Sequence, residues 1–447
     1  MRGIGNIQSH VTALHILQGL SPMVSYLPGC TGVRRVSPKT RARIDTKPRQ
    51  RTFCTSSNPI QTVTDVPKID QIDAFILDIP TLRGHVLSMT TMRTQSPVIV
   101  RVRCSDGSEG IGEGTTIGGL SYCPESPESI VSAIATYLAP VLIGQDADKI
   151  SSAIAQMDRN VRGNRIAKSA IEMALWDALG KRLGVSVAQL FGGQIMQDMA
   201  VAWTLASGNS DTDIAEAEQM IALRRHNIFK LKIGKRAVRD DVAHVGRIKA
   251  ALGNSASIRV DVNQAWTLAD ARWGLKGLQD VGCELVEQPV QARYLNAMAE
   301  LAQSYEIAVM ADEALGGPED ALTVASKKAA DVFAVKIAQS GGLMRAREVV
   351  SIGQAAGIAL YGGTMLESAV GTAAALQLFS TIEHLAWGTE FFGPLLLTDD
   401  ILTTPLTYRD FRVVVPEGVG LGVTLDPDKT SFYRRDKTRS LHAVAGA

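Results

Sequence analysis

Between residues 201 and 364 the chain repeats one unit. Short apolar segments recur at intervals of roughly 25 residues. They are VAWTLA (201–206), FKLKIG (229–234), SIRVDVN (257–263), CELVEQP (283–289), IAVMADE (307–313), VFAVKIA (332–338) and IALYGGT (358–364). Amphipathic stretches such as DIAEAEQMIALRRH, DDVAHVGRIKAALG and GGLMRAREVVSIGQAAG separate them. An alternation of this kind predicts parallel strands joined by right-handed crossovers. Seven or eight such units fit a closed (β/α) barrel better than an open sheet, so the expected fold class is α/β.

The polar residues inside these segments carry the next step. In a strand, side chains alternate between faces, so Lys230 and Lys232 share one face and Phe229, Leu231 and Ile233 the other. On an exposed edge such lysines deter aggregation. Inside a barrel the two ammonium groups are pressed together, each lowers the pKa of the other, and one becomes a usable base. The remaining polar residues fall at the C-terminal ends of their segments, where barrels build active sites. They are Asp261 with Asn263, Glu287, Asp312 with Glu313, Lys336 and, further on, Glu390 in WGTEFFGP.

Asp261, Glu287 and Asp312 close three consecutive predicted strands, so their carboxylates converge on one rim. A single strand-end acid caps a helix or pairs with a lysine. Three in succession repel one another unless a hard divalent cation joins them, and oxygen-only ligation suits Mg2+ or Mn2+ and disfavours Zn2+. Such an ion stabilises an enolate on a bound carboxylate while a lysine moves the proton on the adjacent carbon. Beyond the N-terminal extension the histidines are His85, His226, His244, His384 and His442, and none lies at a barrel-strand end. That disfavours a His base and His-ligated metallohydrolase chemistry.

Composition is consistent with a sizeable core: 447 residues, 45% hydrophobic, 20% charged, with a net charge of +1. Nothing global steers the chain toward nucleic acid or an anionic membrane, and no apolar run is long enough to span a bilayer. Five cysteines show no paired spacing, which suits a reducing compartment. Residues 1–65 differ from the rest: Arg34, Arg35, Lys39, Arg41, Arg43, Lys47, Arg49 and Arg51 face Asp45, the one acid before residue 60. This segment is not given a fold. A start assigned too far upstream accounts for it, and a targeting segment suits the composition as well. From residue 68, strands around Asp106-Gly107 and helices ending in NRIAKSAIEMALWDALGKRLG (164–184) read as an α+β unit. GIGEG in this unit is no dinucleotide loop, because no helix opens directly after it.

The KxK pair, DVNQAW, EQP, ADE and VKIAQSGG resemble the mandelate racemase/muconate-lactonizing branch of the enolase superfamily. Within it, GEGTTIGGLSY, AVAWTLASG, LYGGTMLES and WGTEFFGPLLLTDDI are similar to the muconate cycloisomerases, from about residue 68 to about 435. The resemblance implies a modified TIM barrel of (β/α)7β type under an N-terminal α+β capping domain. The expected boundaries are 66–190 for the cap, 191–415 for the barrel and 416–447 for a segment returning to the cap. It implies Lys232 as acid/base with Lys230 tuning it, Asp261, Glu287 and Asp312 on Mn2+ (or Mg2+), Lys336 across the substrate, and Glu390 against the enolate carboxylate. Loops near 80–92 and 113–122 would close over the site, and the expected substrate contacts are Ile117, Tyr122, His85 and Asn263. Glu172 and Asp177 are expected to be structural. The implied reaction is lactonisation of cis,cis-muconate, a small dicarboxylate, by a cytoplasmic homo-oligomer, an octamer in the family. Chloromuconate cycloisomerase, dipeptide epimerase and o-succinylbenzoate synthase are the near alternatives, and a barrel that has lost catalysis the distant one. A Schiff-base aldolase would not need three converging acids.

Overall fold

The computed structural model describes residues 66–86 and 91–436. The basic extension and residues 87–90 of the loop expected at 80–92 lie outside the described residues. Five strands open the described residues: β1 (Ile69–Ile76), β2 (Ile79–Val86), β3 (Thr91–Gln95), β4 (Val98–Cys104) and β5 (Glu109–Gly114). β1, β4 and β5 form an antiparallel sheet, with Gly107 at φ +84° turning β4 into β5, while β2 and β3 pair as a separate ribbon. Helices follow as α1 (Pro127–Ala133), α2 (Ala139–Leu142), α3 (Ile150–Asn160), α4 (Arg165–Leu183) and α5 (Val187–Leu190). The helical stretch from Pro127 to Leu142 is broken by a π turn at Ile134–Leu138, just ahead of Pro140. Proline lacks the amide that would continue the hydrogen-bond ladder.

GIGEG has a packing role. A Cβ at Gly110 would overlap the Ala174 carbonyl, and one at Gly112 the Ala170 carbonyl, so the two glycines let β5 press onto the α4 backbone. Gly184 at φ +71° ends α4, donating to the Lys181 carbonyl.

All seven segments of the repeat are strands. After β6 (Asp198–Ala200) they run β7 (Trp203–Leu205), β8 (Ile228–Lys232), β9 (Ser257–Asp261), β10 (Leu285–Glu287), β11 (Ala308–Ala311), β12 (Val332–Val335) and β13 (Ala359–Gly362). The sheet order from β7 to β13 follows the chain, and every pairing is parallel. Thr389 closes the ring: it bridges Gly362 on one edge and Val201 on the other, with Ala202 N donating to Thr389 O at 2.8 Å. Seven strand–helix units and the closing residue Thr389 make the (β/α)7β form. The connecting helices are α6 (Ser210–Ala222), α7 (Val238–Leu252), α8 (Leu268–Asp280), α9 (Leu295–Ser304), α10 (Pro318–Lys327), α11 (Ile337–Ser340), α12 (Leu343–Ala356) and α13 (Ala369–Phe379).

Leu285, Met310, Val332, Ala334 and Tyr361 fill the barrel interior as a cluster separate from the main core. This apolar plug seals the barrel below the rim, so the polar residues above it are held in surroundings of low dielectric. The C-terminal segment packs on the cap: Leu421 N donates to Asp177 Oδ1 (2.8 Å) and Val187 N to Gly420 O (2.8 Å).

Candidate active site

Parallel register delivers the predicted residues to one rim. Lys232 is the last residue of β8 and pairs with Asp261, the last of β9, which pairs in turn with Glu287, the last of β10. Asp312 and Lys336 directly follow β11 and β12, and Glu390 follows the closing residue Thr389. From the cap, Ile117 and Tyr122 descend from the segment after β5. His85 comes from β2, which Arg83 fastens to the barrel through Thr204 O (3.0 Å) and Glu216 Oε1 (2.9 Å). Together they line a small cavity of about 20 Å3, walled by His85, Ile117, Tyr122, Lys232, Lys336 and Glu390 among others. Lys230, Asp261, Asn263 and Asp312 also reach its wall, whereas Glu287 lies off it, behind Lys230.

The ammonium groups and carboxylates interlock. Lys230 Nζ donates to Glu390 Oε2 (2.6 Å) and Glu287 Oε2 (2.8 Å). Lys232 Nζ donates to Asp261 Oδ2 (2.5 Å) and lies 3.3 Å from Asn263 Oδ1. Lys336 Nζ donates to Asp312 Oδ2 and to the Tyr122 hydroxyl, both at 2.7 Å, and the Tyr122 hydroxyl donates to Asp312 Oδ2 at 2.8 Å. All but Lys232 of these charged groups are nearly free of solvent.

Charge in so dry a site moves the titrations. Burial opposes the charge on Lys230, but Glu287, Glu390 and Asp261 outweigh it and hold the ammonium well above the ordinary lysine range. The expectation that the two lysines depress one another is corrected here for Lys230: its nearest charges are carboxylates, at hydrogen-bond distance. Burial, then repulsion from Asp261 and Asp312, raises Glu287 far above the usual carboxyl range. Burial and the same two aspartates push Glu313 up to about 8. Burial and the Lys232 charge push His85 down to about 3, so its imidazole is neutral at any working pH.

Whether these residues suit a divalent cation can be judged from the donors. Among the described residues no three acids are arranged so that they hold an ion as they stand. Yet five carboxyl groups (Asp261, Glu287, Asp312, Glu313, Glu390) face three ammonium groups, and the raised titrations of Glu287 and Glu313 show that burial and mutual repulsion keep them from all carrying charge as they stand. Glu313 Oε2 is buried with no hydrogen-bond partner. An all-oxygen donor set whose carboxyls repel one another fits a hard divalent ion.

Sequence reasoning missed three residues of the cavity wall: Thr204, Thr364 and Leu366. Thr204 Oγ1 donates to Glu390 Oε1 at 3.0 Å. Its hydroxyl stands in VAWTLA, where threonine reads as an ordinary strand former. Thr364 and Leu366 stand two and four residues after β13, in LYGGTMLES, where neither charge nor spacing marks them.

Comparisons with known proteins agree with this geometry. The profile of the mandelate racemase/muconate lactonizing enzyme N-terminal domain matches residues 71–192, and that of the enolase C-terminal domain-like family residues 213–429. A muconate cycloisomerase of Acinetobacter lwoffii is 54% identical over 369 residues, 83% of this chain and 96% of its own. A chloromuconate cycloisomerase of Cupriavidus pinatubonensis is 45% identical over 368 residues, 82% of this chain and 99% of its own. The crystal structure of muconate lactonizing enzyme from Pseudomonas fluorescens complexed with muconolactone superposes with a TM-score of 0.82 at 51% identity, covering 83% of this chain and all of that one. The chain belongs to the mandelate racemase/muconate-lactonizing enzyme branch of the enolase superfamily.

Proposed function

We propose that the chain is a muconate cycloisomerase, converting cis,cis-muconate to muconolactone. The observation that carries the reading is the placement of Lys232 and Lys336, four strands apart, on the wall of one small cavity closed from above by the cap residues His85, Ile117 and Tyr122. Identity to a muconate cycloisomerase (54%) above that to a chloromuconate enzyme (45%) favours the unsubstituted substrate.

One carboxylate oxygen of muconate adds to the far double bond, forming the ring C–O bond. The electron pair of that double bond moves onto its other carbon, beside the second carboxylate, as an enolate, while the double bond nearer the attacking carboxylate stays in the ring. Lys232 Nζ then delivers a proton to the carbon beside that carboxylate, which restores it and completes muconolactone. Lys232 is the most exposed of the three site lysines, in keeping with access to substrate. Lys336, bonded to Tyr122 and Asp312, supplies positive charge from the other side, and Glu390, fixed by Thr204 and Lys230, borders the enolate. Asn263, Ile117 and neutral His85 shape the walls. Asp261, Glu287 and Asp312 would hold the divalent ion, Mn2+ in this reading, which when bound stabilises the enolate charge. Residues 66–190 would act as cap, 191–415 as catalytic barrel, and 416–447 as the segment that fastens the two. The Leu421–Asp177 bond supports the last role.

The test follows loss of the muconate diene's ultraviolet absorbance by purified protein with Mn2+, with Mg2+ and with excess chelator, alongside 3-chloromuconate. Fast, chelator-sensitive loss with unsubstituted muconate preferred is expected. No loss with any muconate would overturn the reading.

A further inference from the structure

The part of the cavity wall that follows β13 is hung from the capping domain. Thr364 and Leu366 line the cavity on the segment between β13 and α13, with Leu366 in the left-handed region at φ +60°. Helix α13 begins at the N-cap Ser368, whose side chain does not cap it. Instead the Ser368 hydroxyl donates to Glu113 Oε2 (2.6 Å), a residue of cap strand β5. Glu113 also accepts from Ser368 N and Gly371 N, both at 2.7 Å, and from the Thr115 hydroxyl at 2.5 Å. These four donors match the acceptor capacity of a carboxylate, so the other domain supplies the contact to Gly371 N that the Ser368 side chain leaves unmade. Gly371 makes the approach possible, since a Cβ there would stand 2.7 Å from Glu367 Cγ and 3.3 Å from Glu113 Cδ. A second tie comes from β3: buried Gln95 Nε2 donates to Leu366 O (2.8 Å) and Met365 O (3.2 Å). Four residues after Glu113, on the same cap segment, Ile117 enters the cavity.

Resting on the cycloisomerase reading above, we infer that Glu113 and Gln95 are positioning residues that set the spacing of Ile117 against Thr364 and Leu366 and so govern which substituted muconates fit. Neither touches the cavity. Both fix backbone on which wall residues ride, and a wall displaced by about 1 Å changes rates by up to about a hundredfold. Size discrimination of one methyl group in an apolar wall spans about ten- to two-hundredfold, which is the range such a clamp can release.

The experiment uses the full chain with Mn2+ and compares kcat/KM for cis,cis-muconate and 3-methylmuconate in Gln95→Met, Glu113→Gln and the control Asp177→Asn. Asp177 is also a buried cap acid that accepts backbone amides, from Ile111 and Leu421, but it has no tie to the 363–371 segment. In Gln95→Met and Glu113→Gln, kcat/KM for muconate is expected to fall about tenfold, mainly through KM, and the ratio between substrates to move about fivefold or more. Asp177→Asn should lower the unfolding midpoint with the ratio unchanged. If Glu113→Gln does not fold, Gln95→Met decides. A ratio within about twofold of wild type in the clamp variants, or an equal shift in Asp177→Asn, overturns the inference. Should wild-type protein turn over no muconate, the functional reading falls on its own. The clamp is then judged by backbone hydrogen exchange over residues 364–371, which accelerates in both clamp variants if the ties hold that segment and is unchanged if they do not.

Discussion

Lys230 and Glu390 are joined by a 2.6 Å ion pair sealed inside the barrel, and Glu287 holds the same ammonium at 2.8 Å. Removing the cation strands two buried carboxylates. Lys230→Met should therefore destabilise the fold by about 3–5 kcal/mol in urea unfolding, the range for breaking a buried pair from one side. A loss below about 1 kcal/mol would mean that the carboxylates find other partners.

Lys232→Ala has a different signature. Its ammonium is the least buried of the three, and it pairs with Asp261 alone among the carboxylates. Turnover of muconate should drop about 10²- to 10⁴-fold, the usual contribution of a positioned acid/base. Exchange of the muconolactone α-proton with deuterated water should be lost, while Mn2+ still shifts the melting curve. Retained exchange would move the proton transfer to another group.

These lysines and the three strand-end acids were legible because charge inside an otherwise apolar strand has few bland explanations. The seven strands were legible for a similar reason, their recurrence. What escaped depends on chain segments far apart in sequence. Glu172 could be read only as structural; that its carboxylate receives Met344 N (3.0 Å) and Leu343 N at the start of α12, together with Trp176 Nε1 (3.1 Å), needed the domains in contact. The tie between Glu113 and Ser368 spans 255 residues and leaves no local pattern. Thr204 was hidden by its suitability for a strand.

Thr204 gives a third expectation. Thr204→Val keeps the shape but withdraws the donor from Glu390 Oε1, leaving a buried carboxylate oxygen short of a partner, a penalty of about 1–3 kcal/mol. If Glu390 borders the enolate, kcat should fall about tenfold with little change in KM, and Thr204→Ser should restore most of it. An unchanged kcat in the valine variant would remove Thr204 from the mechanism.

Glu172 links stability to pH. Burial pushes its carboxyl up to about 7 from 4.5, against the donors from Met344, Trp176 and Leu343. The folded protein thus binds this proton more tightly than the unfolded chain does. The stabilisation is complete below about pH 4.5 and is lost as pH rises through 7, a change of about 3 kcal/mol. Unfolding free energy measured from pH 5 to 7.5 should contain this downward slope, and Glu172→Gln should flatten it. Identical slopes in the two proteins would assign the pH dependence elsewhere.

Metal binding can be read without turnover. A divalent ion relieves the repulsion among the site carboxyls that adds to burial in raising Glu287 and Glu313 in the folded state. Mn2+ at a hundred times its Kd should stabilise the protein by about 2.7 kcal/mol, and Mg2+ at equal concentration by less if Mn2+ is the preferred ion. Glu287→Gln removes one expected ligand, so the variant should gain little stability from Mn2+. Calorimetric melting with and without chelator separates these effects. A Glu287→Gln protein that gains as much from Mn2+ as wild type would take Glu287 out of the ligand set and leave Asp261, Asp312 and the unpartnered Glu313 oxygen as the donors to test next.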